Sequence, residues 1–287
     1  MAKNYLNTNQ LADLFKVDNS TIRRWTMSGK LSCFSSVGGH RKFSYRDILS
    51  FVNSSSSKVK LNLNTINNTD VKNKLIEYPD QIAINSLNRS SEKIDSLIFK
   101  LYMEGINLSE IFDNYIDKSL DIIQQKLDKK EISIAEEHIA RKQISLSLNN
   151  FRNTIHKNTE SSRRALCLNL ENDIPDLAID MIQIILESNS FSVHNAGSNT
   201  SLTDIKLLIE KSNFDSIFIY LCSRQCCTST VETNLSKSID DINKISRICL
   251  DSKINLNIGG PATKAIIKEI PSGFKSFEKF SEITSLI

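Results

Sequence analysis

The sequence predicts a multidomain chain: a small helical head with a basic hairpin, a helical bundle, and an α/β doubly wound parallel sheet. Three observations predict it. Apolar positions between Asn7 and Val52 follow two short helical spacings and then two short β segments. Residues 71–157 carry helical stripes and little else. From Arg163 onward, β-rich runs alternate with helical runs, the pattern of a parallel sheet with crossover helices. A length of 287 residues suits two or three domains. The composition changes place the head at 1–53, a flexible linker at 54–69, the bundle at 70–160 and the α/β domain at 161–287.

In the head, Thr8 is a capping candidate for a helix with Leu11, Ala12, Leu14 and Phe15 inward. After the polar break Val17-Asp18-Asn19, Asn19 or Ser20 can cap a second helix. Its Ile22 and Trp25 point inward, its Arg23, Arg24 and Ser28 outward, and Gly29 suits a left-handed stop. Two β segments, Leu31–Phe34 and Arg41–Ser44, flank a hairpin tip at Val37-Gly38-Gly39-His40, and Asp47–Val52 begins a further helix. This is the layout of a winged helix-turn-helix, whose second helix enters the major groove of DNA. Residues 1–53 hold eight basic side chains and three acids, a net of +5, while the whole chain is only +3. Such a surplus is the electrostatic footprint of a phosphate-contacting surface. Thr21, Arg23, Arg24, Lys30, His40, Arg41, Lys42 and Arg46 are the candidate contacts to double-stranded DNA. The words Ser20-Thr21-Ile22-Arg23-Arg24-Trp25 and Gly38-Gly39-His40-Arg41-Lys42-Phe43 resemble the recognition helix and wing of the MerR-type and excisionase-type families.

Ser54–Asn68 is rich in Ser, Asn and Thr and reads as linker. In the bundle, one helix is expected from Asp80 to Glu104, ended by Gly105, and a second from Ser109 through Leu127. A third follows Ser133, which forms a capping box with Glu136. The segment Val71–Tyr78 completes four helices.

In the last part, strands are expected at 165–170, 191–195, 215–221, 254–258 and 274–277. Helices are expected at 175–187, 202–211, 231–250 and 262–269, with one more closing the chain. Five strands alternating with helices imply a flavodoxin-like sheet in the order 2-1-3-4-5, with ligands beyond the C-terminal strand ends. The loops there are 171–176, 196–201, 222–230 and 259–261.

The rest of the composition narrows the class. No run of eighteen apolar residues predicts a membrane span, and Met1–Tyr5 lacks a signal-peptide core, so a cytoplasmic protein is expected. Six scattered cysteines fit a reducing compartment. Cys222, Cys226 and Cys227 cluster without zinc-finger spacing, and no metal site is expected. No nucleophile–base pair or phosphate loop points to an enzyme.

The order of parts resembles the MerR-type photoreceptor regulators that bind adenosylcobalamin. That resemblance implies a bundle covering the upper face of the corrin. It also implies a lower histidine from an acidic-x-His-x-x-Gly loop after the first strand, and release of DNA on illumination. This chain departs from the pattern at the chemistry. Asp173 keeps the acidic position, but Pro175 stands at the histidine and Ala178 at the glycine. The position of the family's serine falls near Tyr220 or Cys222. Gly259-Gly260 is retained, either for a nucleotide tail or as a tight strand-to-helix turn. Glu137 and His138 match the helix that faces the upper ligand, or form an ordinary polar face, and the tryptophan ten residues before Glu137 is replaced by Leu127. His194, near the end of strand two, is not expected under a corrin.

These residues define a remodelled pocket with no cofactor expected. The chain reads as a DNA-binding regulator and homo-oligomer whose α/β domain serves in assembly, in binding a protein partner, or in sensing another signal. The alternative is a regulator that still binds cobalamin, another tetrapyrrole or a small molecule.

Overall fold

Asn7 caps the first helix, one residue before the expected cap. Its side chain accepts from the Gln10 amide at 2.9 Å while Gln10 Oε1 accepts from the Asn7 amide at 3.0 Å. This reciprocal pair satisfies two N-terminal donors of helix α1 (Thr8–Phe15) and leaves Thr8 inside the helix. The computed structural model describes residues 5–36, 38–54, 61–63, 77–155, 161–173, 177–222, 235–266, 268–269 and 273–287.

Lys16 turns left-handed after α1, and α2 (Asn19–Met27) follows with Asp18 at its cap position, where Asn19 or Ser20 was expected. Strands β2 (Phe34–Ser35) and β3 (Arg41–Ser44) form the hairpin, and α3 (Tyr45–Ser54) begins two residues before the expected start. An additional strand, β1 (Tyr5–Asn7), pairs antiparallel with β3 to give the order β1-β3-β2. Three residues are too few for alternation to show, so β1 was not legible in the sequence. Leu11, Leu14, Ile22, Phe43 and Ile48 fill the head core with no exposed surface.

The bundle differs from expectation in where its helices break. The stretch read as one helix is two, α4 (Tyr78–Leu87) and α5 (Ser91–Met103). Arg89 adopts a left-handed conformation at φ 57°, and the Ser90 amide reaches back to the Asn85 carbonyl at 2.8 Å. That is a helix-terminating closure, set by the polar triplet Asn88-Arg89-Ser90 inside an unbroken apolar stripe. The next rod starts as α6 (Leu108–Ile111), passes through a π turn (Phe112–Ile116) and continues as α7 (Asp117–Asp128). Helix α8 (Ile134–Ile155) carries the Ser133–Glu136 capping box, with the Glu136 carboxylate 2.8 Å from both the Ser133 amide and hydroxyl. Among the described residues the bundle has four packed helical rods, the fourth supplied by the split; residues 71–76 of the expected fourth helix lie outside the described residues.

The α/β part has strands β4 (Arg164–Leu170), β5 (Ser192–Thr200), β6 (Ser216–Tyr220), β7 (Asn255–Gly259) and β8 (Phe274–Phe277), all parallel, in the order β5-β4-β6-β7-β8. This is the expected 2-1-3-4-5 order. Between them lie α9 (Leu177–Ser188), α10 (Leu202–Lys211), α11 (Leu235–Ser252) and α12 (Thr263–Ile266). The last turn, Phe280–Ser285, is a 3-10 helix instead of an α-helix. Helix α9 is apolar nearly all round because it is sandwiched: Ile179, Ile182 and Leu186 are buried in one core shared by the bundle and one sheet face. Leu166, Leu168, Ile217, Ile219 and Ile258 cover the other face against α10 and α11. Arg152 on α8 grips Glu187 on α9 with two hydrogen bonds of 2.6 Å, a bidentate tie between bundle and α/β domain. No helix among the described residues is long and apolar enough to cross a membrane.

Candidate nucleic-acid interface and sheet-edge site

Helix α2 turns its apolar residues inward. Ile22 is fully buried, and Trp25 packs edge-on to Phe15 at 5.7 Å and obliquely on Phe51 at 4.8 Å. With those anchors fixed, helical spacing sends Arg23 and Arg24 to solvent, and both are exposed; Thr21 is half-buried. Lys30, His40 and Arg46 are exposed as well. The Thr26 hydroxyl donates back to the Ile22 and Arg23 carbonyls at 3.0 and 2.8 Å, which braces the helix beneath the arginines.

The hairpin tip closes with the Gly39 amide donating to the Ser36 carbonyl at 2.8 Å, and Gly39 takes φ 74°. Val37 of that tip lies outside the described residues. Arg41 pairs with Ser35, and Lys42 with Phe34 and Asn7. Strand alternation puts Arg41 on the face of buried Phe43 and Lys42 on the opposite face, beside the exposed Tyr5–Phe34 pair. The two cations therefore leave the hairpin in opposite directions. The sequence pattern gave no hint of the Tyr5–Phe34 contact because β1 was hidden.

The second site lies at the C-terminal edge of the sheet. Asp173 is buried just beyond β4. Its carboxylate accepts from the Cys222 amide at 3.0 Å and from Asn169 Nδ2 at 3.3 Å, while its carbonyl accepts from the Asn199 amide at 3.1 Å. Burial pushes its pKa up to about 7, against the lowering effect of the Cys222 and Asn169 hydrogen bonds. Asn169 also donates to the Tyr220 carbonyl at 2.7 Å, so Asp173, Tyr220 and Cys222 form one knot across the ends of β4 and β6. Pro175, Cys226 and Cys227 lie outside the described residues.

Gly259 and Gly260 close the neighbouring strand end. A Cβ on Gly259 would lie 2.2 Å from the Phe277 ring, and one on Gly260 would lie 2.4 Å from the Leu221 carbonyl oxygen. Gly260 also has φ 97°. Both glycines are accounted for by the chain's own packing. Ala178 is buried in the core shared with the bundle.

The remaining candidates are apart from this knot. Glu137 is fully buried and ion-paired to Arg141, with its second oxygen 3.8 Å from His138 Nε2. His138 is exposed, and Leu127 is half-buried. His194 pairs with Leu166 in mid-strand and meets Phe214 edge-on at 5.1 Å, away from the strand ends.

Between α6–α7 and the ends of β6–β8 is a cavity of about 640 Å³. Among the described residues, Tyr220 is the one predicted pocket residue that lines it, beside Phe280 and Pro261, with five acids (Glu110, Asp113, Asp117, Asp121, Glu278) and two lysines (Lys118, Lys279). Asp113 accepts from the Phe280 and Ser281 amides at 2.8 and 3.1 Å, and the Tyr220 and Phe280 rings lie nearly parallel at 5.9 Å. Sequence reasoning missed Asp113 and Phe280, which are 167 residues apart in the chain. No group of His, Cys, Asp or Glu able to hold a metal occurs among the described residues.

A model of the helix-turn-helix domain family matches residues 5–56, which suggests a DNA-binding transcription regulator. No curated protein matches the chain. Among solved structures, the chain is similar to the monomethylamine corrinoid protein of Methanosarcina barkeri, at 16% identity and a TM-score of 0.56, covering 72% of this chain and 94% of that one. That likeness shows a cobalamin-binding-like fold for the helical and α/β parts. Two other matches have lower scores. A cobalamin-binding protein of Desulfitobacterium hafniense DCB-2 has 11% identity and a TM-score of 0.36 over 73% of this chain and 97% of that one. The methanol:cobalamin methyltransferase complex of Methanosarcina barkeri has 12% identity and a TM-score of 0.35 over 74% and 78%.

Proposed function

We propose that this chain is a MerR-type transcriptional regulator whose cobalamin-binding-like body works without cobalamin, in self-association, partner binding or response to another signal. Phe277 lying over Gly259 carries the reading, in a chain that begins with a helix-turn-helix domain. The resemblance to the adenosylcobalamin-binding regulators implies open space against a glycine-lined strand end for the cofactor's tail and a histidine donor beneath the metal. Here the space at Gly259 is filled by an aromatic ring, and the sequence puts Pro175, which offers no donor, at the histidine position. On the bundle side, His138 points to solvent and Glu137 is consumed by Arg141. These features support a body that works without cobalamin.

In this reading Arg23, Arg24 and Lys30 contact DNA from the second helix and its end. His40, Arg41, Lys42 and Arg46 contact it from the hairpin and α3, with the hairpin acting as a wing. One short recognition helix makes few base contacts, so specific binding uses two or more heads on repeated half-sites. A second reading rests on the cavity beside Tyr220: a smaller ligand, neutral or cationic given the excess of acids over lysines around it, is sensed there.

Titration with adenosylcobalamin in the dark, followed by absorbance, tests the proposal. The expected result is no stoichiometric complex, with DNA binding unchanged by adenosylcobalamin and by green light. A tight complex with a histidine-ligated spectrum and photolytic loss of DNA would overturn it.

A further inference from the structure

Helix α5 belongs to two cores at once. Ile94, Leu97, Ile98 and Leu101 are buried in the bundle, while Phe99, only 1% exposed, is buried among the core residues of the head. Tyr45, the first residue of α3, stacks on Phe99 with ring centroids 4.1 Å apart and planes at 11°. The Tyr45 hydroxyl is 2.9 Å from the Ser96 hydroxyl, one turn back along α5. Met103, one turn onward, packs against the same head core. The chain beyond α3 adds to the joint. Leu61 and Leu63 pack on the head, and the Asn62 amide donates to the Leu14 carbonyl at 2.6 Å. This docking leaves Arg23, Arg24, Lys30, His40 and Arg46 exposed.

We infer that the head is carried as a rigid extension of the bundle, in a state ready to bind DNA, with α5 as the joint that sets the direction of the recognition helix. The inference builds on the regulator reading above, because the direction of α2 matters only if α2 meets DNA. A stacked, buried aromatic pair with a hydrogen bond at its rim is directional, so it fixes rotation as well as distance. Interdomain contacts of a merely tethered head would show neither a shared core nor a buried aromatic from the other body. Displacement of α5 within the bundle would carry Phe99, and with it the head. Helix α5 ends at Met103, Gly105 turns the chain at φ 86°, and it continues into α6, a wall of the cavity at Tyr220. The joint and that cavity therefore share one short run of chain.

Trp25 is the only tryptophan and is packed in the head core, so its fluorescence anisotropy decay reports how the head tumbles. In the full-length protein the decay should follow the tumbling of the whole particle. Phe99→Ala should shorten the correlation time by about threefold or more, because the head is a small fraction of the mass. Ser96→Arg wedges the joint from the half-buried rim without emptying either core, and should give the same release with the bundle still folded by circular dichroism. Fast decay in the wild-type protein, or slow decay in a folded Ser96→Arg variant, would overturn the inference. The readout needs no DNA: a docked head in a protein that binds no duplex would sink the regulator reading and leave the joint standing.

Discussion

Arg23 and Arg24 face water because Ile22 and Trp25 do not, and that division was legible from helical spacing alone. Charge was equally legible: the basic side chains of the head among the described residues are all exposed or half-buried. The placement of Asp173 was not. Its acidity in sequence says nothing of the Cys222 amide and the Asn169 amide that enclose it 49 and 4 residues away. Its raised pKa gives a signed prediction. The folded state resists ionising this carboxyl, so its contribution to stability is fullest below the ordinary aspartate range near 4. That contribution is lost as pH rises toward about 7. Asp173→Asn removes the titration but keeps an acceptor for the Cys222 amide. Urea unfolding should show the variant gaining on the wild type more at pH 8 than at pH 5. An equal difference at both pH values would mean that Asp173 ionises freely in the fold.

At the scale of elements, periodicity located most helices and every strand of the parallel sheet. It failed where a break left the apolar stripe intact, as at Asn88-Arg89-Ser90, and where an element was too short, as at β1. The glycine pair shows a different limit. Sequence could not separate a channel for a nucleotide tail from a tight turn, because both need a missing Cβ. Phe277, on β8, supplies the packing reason for Gly259. Gly259→Ala should therefore destabilise the protein by about 1–3 kcal/mol, as overpacking of a filled core does. Thermal unfolding measures it; a neutral substitution would show that the space at Gly259 is open and would reopen the case for a bound tail.

For the whole molecule, the two proposals rest on events that are not written in local pattern. One is the meeting of head and α5 through Tyr45 and Phe99, 54 positions apart by their numbers in the chain. The other is the proposed association between copies, which would supply the base contacts that one short recognition helix lacks. Multi-angle light scattering should find a dimer or larger species on duplex DNA carrying two half-sites. A strict monomer both free and bound would remove that part of the proposal. The central claim is that the head reads DNA, and affinity for duplexes selected from a random pool tests it most directly. At one fixed salt concentration, a variant with both Arg24→Ala and Arg41→Ala should bind more weakly, by about 1–3 kcal/mol for each arginine that reads a base edge. Lys42→Ala should weaken binding to all sequences and lower the salt slope by about one. If the double arginine variant bound the selected duplex as tightly as the wild-type protein, the assignment of this surface to DNA would be wrong.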